Sequence, residues 1–152
     1  MSAPNSFLLV ATDVDSARLS VPSALDVANY CFEVGRWGVG YHTSNRRAMK
    51  PGDKLLIYLA GRRDNRQSFV GTAVVAGECE ERPIEIGGRF WPLTLPLRSI
   101  RRFRKPVPIR PLLPRLSFIK DPTSKKWGSL FQLAVIRIRL QDIELVAMTT
   151  NT

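Results

Sequence analysis

Two cysteines, one histidine and thirteen carboxylates are the side chains from which this 152-residue chain could assemble nucleophilic, acid–base or metal chemistry. Cys31 and Cys79 stand far apart with no second cysteine near either, which fits neither zinc-ligand spacing nor a disulfide framework. His42 is the sole imidazole, so Cys31 and His42 form the one nucleophile and base pair of that type that can be written. Cys31 falls on the apolar face of a predicted helix, where a thiol more often serves as a small hydrophobe. Glu78, Glu80, Glu81 and Glu85 crowd one polar connection without a histidine or cysteine to complete a metal site. Gly35, Gly38 and Gly40 follow a predicted helix, whereas phosphate-cradling dinucleotide loops follow a strand and open a helix. Neither a GxxxxGK(S/T) loop nor a GxSxG elbow occurs, and no cofactor or metal is expected.

Aromatic residues interleaved with cations carry the stronger signal. Arg36-Trp37 is followed by Tyr41, Asn45, Arg46 and Arg47, and Lys125-Lys126-Trp127-Gly128 repeats the pattern later in the chain. A flat ring on a loop beside arginine and glycine offers what a splayed-out base needs: a stacking surface, close backbone approach and cations for the flanking phosphates. Trp37, expected on a loop after the helix, is read as the functional ring. Trp127 is read as a core anchor, since tryptophan is highly buried on average.

The charge balance agrees with a polyanionic partner. Twenty-three basic and thirteen acidic residues leave a formal net charge of +10, and 17 of the cations are arginines, whose planar fork suits phosphates and base edges. Residues 36–66 carry +6 and residues 98–126 carry +9, so the excess comes from two blocks. Brought to one side, they would make a basic face, the footprint of a nucleic-acid binder; pointed apart, they are two solvated loops. The length predicts one domain over residues 1–152, and 44% hydrophobic with 24% charged residues is ordinary for a globular chain. No targeting or membrane segment is visible, so a cytoplasmic location is expected.

The elements that must position these residues can be read from pattern. Phe7 to Ala11 is an apolar run of strand length. Ser20 or Ser23 can cap a helix whose Leu25, Ala28, Cys31 and Phe32 share a face and which stops at Gly35. Lys54 to Leu59 and Ser68 to Val75 flank a basic turn as a β-hairpin. Phe90 to Leu97 reads as a strand that Pro92 and Pro96 confine to an edge or a bulge. The proline-rich stretch from Pro92 to Pro122 reads as a structured connection with at most a short helical turn. Phe131 to Ile138 is a last strand and Gln141 to Val146 a short closing helix. About six strands, with a helix between the first two, describe a mixed barrel of α+β type.

Taken in order, Phe7-Leu8-Leu9-Val10, Gly35-Arg36-Trp37-Gly38-Val39, Lys50-Pro51-Gly52-Asp53-Lys54-Leu55-Leu56-Ile57-Tyr58, Phe69-Val70-Gly71-Thr72-Ala73 and Leu116-Ser117-Phe118-Ile119-Lys120 with Trp127-Gly128 resemble an EVE domain. EVE domains are PUA-like barrels related to the YTH domain, a reader of N6-methyladenine in RNA. The resemblance implies a PUA-like mixed β pseudo-barrel of about six strands with flanking helices, and a non-catalytic module that accepts a flipped modified base in an aromatic pocket. Modified cytosine in DNA is the leading substrate, and a partner nuclease or other effector is implied. By position, Trp37 is the cage ring, Gly38 and Val39 offer backbone groups, and Ser117, Phe118 and Ile119 form the opposite wall. Tyr41, Asn45 and Arg46 are base or phosphate contacts. Arg36, Arg47, Lys120, Lys125 and Lys126 take phosphates, and Tyr58 or Trp91 supplies a third wall. Many family members carry proline where Gly40 stands, which implies a more mobile loop here.

Two other readings stand beside this one. A small enzyme or RNA-binding accessory domain acting on modified nucleotides would need a carboxylate near Trp37, and Glu33 and Asp53 are nearest in sequence. A scaffold recognising protein would show an exposed apolar patch and no concavity.

Overall fold

The computed structural model describes residues 3–14, 22–61 and 66–150. The first strand, β1 (Ser6–Ala11), is buried along its whole length. Helix α1 (Ala24–Val34) starts at Ser23, whose Oγ accepts from Asp26 N at 3.1 Å while the Asp26 carboxylate accepts from Ser23 N at 3.0 Å, a reciprocal cap. Ser20, the other candidate cap, lies outside the described residues. The helix stops at Gly35, whose φ of 72° is a left-handed conformation that glycine adopts without a Cβ penalty. Strand β2 (Arg36–Val39) begins at the very next residue. Trp37 is therefore on a strand and not on a loop, because the turn at Gly35 is tight enough to pair Trp37 with Leu95 at once.

The expected hairpin forms from β3 (Lys54–Leu59) and β4 (Ser68–Val75). A second, small hairpin follows, β5 (Ile84–Ile86) and β6 (Arg89–Trp91), turned over Gly87 and Gly88 at φ 57° and 87°. Strand β7 (Leu93–Pro108) is the longest in the chain, followed by 3-10 turns over Arg110–Arg115 and Trp127–Gln132, then β8 (Val135–Ile138) and helix α2 (Leu140–Thr149). The six-stranded sheet runs β2-β7-β4-β3-β1-β8, with β1 parallel to β3 and antiparallel to β8.

The proline-rich stretch is thus mostly strand, and β7 is an interior strand rather than an edge. Pro106 is tolerated because the ladder is broken where its missing N–H would matter. Between Gly71 and Phe69 the partner on β7 jumps from Arg102 to Val107, so Phe103 to Pro106 bulge off the pairing with Arg104 and Lys105 exposed. A second irregularity carries Ser99 at φ 52°. Opposite, Gly71 has no alternative, since a Cβ there would sit 2.6 Å from the Arg101 backbone oxygen. The last predicted strand is also shorter than expected, because Trp127–Gln132 coils and only Val135–Ile138 pairs.

Alternation along β1 and β3 divides the interior in two. Phe7, Leu9, Leu55 and Ile57 pack with α1 and Trp37 on one face. Leu8, Leu56 and Tyr58 pack with Phe131, Ile119 and α2 on the other. Asp142, 2% exposed, ties the second layer together by accepting from Ser117 N at 2.8 Å, Ser117 Oγ at 2.6 Å and Arg139 N at 3.0 Å.

Candidate base-binding cavity

On the α1 face, the C-terminal end of β1, helix α1, strand β2 and the small hairpin enclose about 240 Å³. Val10, Ala11 and Thr12 come from β1 and its exit, and Val27 and Cys31 from α1. Trp37 and Gly38 come from β2, Gly40 and Thr43 from the loop after it, and Arg89, Phe90 and Trp91 from β6. This is below the roughly 300 Å³ at which pockets for drug-sized ligands begin, a size suited to a single heterocycle.

Trp37 is 5% exposed, so it is both a core residue and one wall of the cavity. Trp91, one of the two candidates for a further wall, is the one that lines it. Gly38 explains how the second indole fits, since a Cβ there would lie 2.6 Å from Trp91 Cγ. The glycine of the RWGV segment makes room for tryptophan. The rim is cationic: the Arg89 guanidinium lies 4.7 Å over the Trp91 ring, and its Nη1 donates to Thr12 Oγ1 at 2.8 Å, latching β6 to the exit of β1. Phe90, 61% exposed, stands beside it. Arg89, Phe90, Thr12 and Thr43 were not among the sequence candidates. Arg89-Phe90-Trp91 is a cation and aromatic run of the same kind as Arg36-Trp37, masked by its reading as an ordinary strand.

The loop after β2 is better held than the absent proline implied. Gly40 N donates to Thr43 Oγ1 at 3.0 Å, using an N–H that proline lacks, and Thr43 N returns a bond to Gly40 O at 3.2 Å. Asn45, at φ 62°, donates its side-chain amide to Val135 O at 3.2 Å and Arg46 Nε donates to Tyr41 O at 3.2 Å, so both fasten the loop. Tyr41 and Arg47 are exposed. Arg36 is engaged by Thr94 Oγ1 at 3.0 Å and Glu80 at 3.2 Å. Val39 is core, 1% exposed.

Other expected site residues lie elsewhere. Ser117, Phe118 and Ile119 do not wall this cavity, because the even face of β1 and β3 draws Phe118 and Ile119 into the second layer while Asp142 holds Ser117. Tyr58, 1% exposed, stacks on Phe131 at 4.2 Å in that same layer. Trp127 is half-buried there rather than a sealed anchor. Lys120, Lys125 and Lys126 are exposed on that side.

The cavity offers little to acid–base chemistry. No carboxylate or imidazole lines it among the described residues. Glu33 is exposed on α1, and Asp53 is buried and accepts from Asn5 N at 2.9 Å and Lys50 N at 2.8 Å. Burial pushes the Cys31 thiol up to about 11 against the opposing pull of the Gly38 N–H, so it is a protonated wall. His42 is exposed, so no Cys31/His42 nucleophile pair is built. Of the glutamate cluster, Glu78 pairs with Lys50 and Glu80 with Arg36 and Arg82 at the surface. Among the described residues no group of three His, Cys, Asp or Glu could hold a metal, and no helix is long and apolar enough to cross a membrane. Burial pushes both thiols up, and Cys31 is the more deeply buried of the two, so alkylation of the native protein at neutral pH is expected to label half-buried Cys79 first and Cys31 only on unfolding. Equal labelling rates, read by mass spectrometry, would show Cys31 to be an activated thiol.

The order of these elements, and residues 25–148 in particular, match the EVE domain. The chain belongs to the EVE domain family. A UPF0310 protein of Pyrococcus abyssi is 31% identical over 123 residues, covering 72% of this chain and 82% of that protein. Human THYN1, solved in complex with DNA containing 5-methylcytosine, has the same fold at a TM-score of 0.61 and 12% identity, over 97% of this chain and 98% of that one. The YTH domain of Zygosaccharomyces rouxii MRB1, solved with N6-methyladenosine RNA, superposes at 0.59 and 16% identity over 99% and 90%. The architecture is thus of the PUA-like fold that the EVE resemblance implied, with a six-stranded sheet and flanking helices.

Proposed function

We propose that this EVE domain is a non-catalytic reader that accepts one extruded, modified base, modified cytosine in DNA foremost, in the Trp37 and Trp91 cavity. The observation that carries this is a single-ring-sized cavity walled by two indoles with an arginine at its mouth. The fold shared with proteins solved on methylated DNA and methylated RNA supports it. A net charge of +10 provides the phosphate attraction that non-specific affinity needs. The extra methyl buries one carbon, worth about 0.8 kcal/mol, so a preference of about fourfold over the unmodified base is expected from apolar contact alone.

The test is equilibrium binding to short DNA and RNA duplexes and single strands carrying one cytosine, 5-methylcytosine, adenine or N6-methyladenine, across a salt series. The expected result is a steep loss of affinity with salt for every strand, with the methyl preference surviving at each salt concentration. Equal affinity across all bases would defeat the reading. A preference confined to N6-methyladenine in RNA would transfer the same cavity to the alternative substrate.

A further inference from the structure

We propose a second nucleotide-binding site on the opposite face of the sheet, in the basin around Trp127; it goes beyond the base-reading cavity and does not depend on it. The basin measures about 620 Å³, within the usual range for small-molecule sites. Its floor is aromatic: Tyr58 stacks on Phe131 at 4.2 Å, and Trp127 meets Phe131 edge-on at 6.2 Å. Its rim is cationic. The Arg110 guanidinium lies 5.5 Å over the Trp127 ring, with Lys125 and Lys126 exposed beside it. Among the described residues no carboxylate lines the basin, and none of these three cations is in an ion pair. Three cations at the rim of an aromatic concavity favour an anionic group in its ligand.

The polar groups narrow the class. Gln67 and Gln132 both line the basin, and their amides offer the donor and acceptor pair that a base edge requires. Gln67 is held at φ 58°, a conformation unusual for a residue with a side chain, by its N–H donating to Leu59 O at 2.6 Å and its carbonyl accepting from Ile109 N at 2.9 Å. Backbone strain of this kind, roughly 1–3 kcal/mol, concentrates at binding sites. Anion, aromatic floor and amide edge together describe a nucleotide, either free or as one unit of a strand. Because alternate residues of β1 and β3 face the two layers, the sheet itself separates this basin from the Trp37 cavity.

The test follows the three indole N–H resonances of the full-length, isotope-labelled protein during titration with AMP and CMP, with a short single-stranded oligonucleotide, and with inorganic phosphate. Trp127→Phe and Trp91→Phe assign the signals. The Trp127 resonance is expected to move with nucleotide, and to do so equally in Trp91→Ala, where base reading has been lost. The double variant Arg110→Ala with Lys126→Ala, both exposed and so tolerated by the fold, should weaken this response by tenfold or more without changing the methyl preference of the other cavity. Response to mononucleotides identifies a free-nucleotide site, and response to the oligonucleotide alone identifies a strand contact. A Trp127 signal unmoved by either, or moved by phosphate as strongly as by nucleotide, overturns the proposal.

Discussion

Trp91→Ala is expected to abolish the methyl preference and to weaken binding of an extruded base by roughly five- to 150-fold, since stacking on an aromatic side chain is worth about 1–3 kcal/mol per base. The fold should tolerate the change, because Trp91 is only partly buried and sits on the small hairpin outside the six-stranded sheet. Trp37→Ala should fail differently. That indole is 5% exposed within the α1-side core, so its removal is expected to cost about 3–5 kcal/mol of stability as well as binding. Gly38→Ala provides the independent check, because its Cβ would meet Trp91 Cγ at 2.6 Å and push the ring aside without deleting it. Fluorescence-polarisation titrations with thermal melts on all three variants decide the matter. A Trp91→Ala protein that still prefers the methylated base, while melting like the wild type, would show that Trp91 is a bystander.

The second large effect lies beneath the cavity rim. Asp13 Oδ1 accepts from Arg66 Nη2 at 2.7 Å, Arg66 Nε at 3.0 Å and Ala24 N at 2.8 Å, and the two side chains of the pair are 9% and 8% exposed. Breaking a buried pair by removing one partner typically costs about 3–5 kcal/mol, because the other charge stays buried while losing its counter-charge. Asp13→Ala should therefore lower the urea midpoint by that equivalent, and Asp13→Ala combined with Arg66→Met should recover most of it. A loss below about 1 kcal/mol for the single variant would mean that solvent reaches the guanidinium as it does in surface pairs. Thr12, the residue before Asp13, receives Arg89, so loosening this pair should also release the Arg89 latch.

Local chemistry was enough for much of the scaffold. The apolar run of β1, the Ser23 cap, the Gly35 stop and the β3 and β4 hairpin each follow from interactions between residues near in sequence, so their signals are readable without knowing the rest of the fold. The ordered motifs likewise carried the family, and they marked Trp37 as the cage ring, with Trp91 one of two candidates beside Tyr58 for a further wall. Where pairing is between distant segments, the reading failed. Trp37 looked like a loop residue because only its pairing with Leu95, far along the chain, makes it strand. Pro106 and Pro108 read as part of a connection, because the bulges opposite Gly71 and near Ser99 that let β7 run on through them are properties of two strands together. The sorting of aromatic residues was decided in the same way. Side chains alternate across a sheet, so on β3 Tyr58 faces one layer while Leu55 and Ile57 join Trp37 in the other, and no spacing along the chain reports which rings will share a cavity. Composition thus determined that the protein is strongly basic and rich in paired cation and aromatic runs. Only the tertiary structure decided that Arg89-Phe90-Trp91 joins Trp37 around one concavity while Lys126-Trp127 lines another, because sheet order and hairpin placement are set by contacts between segments far apart in sequence.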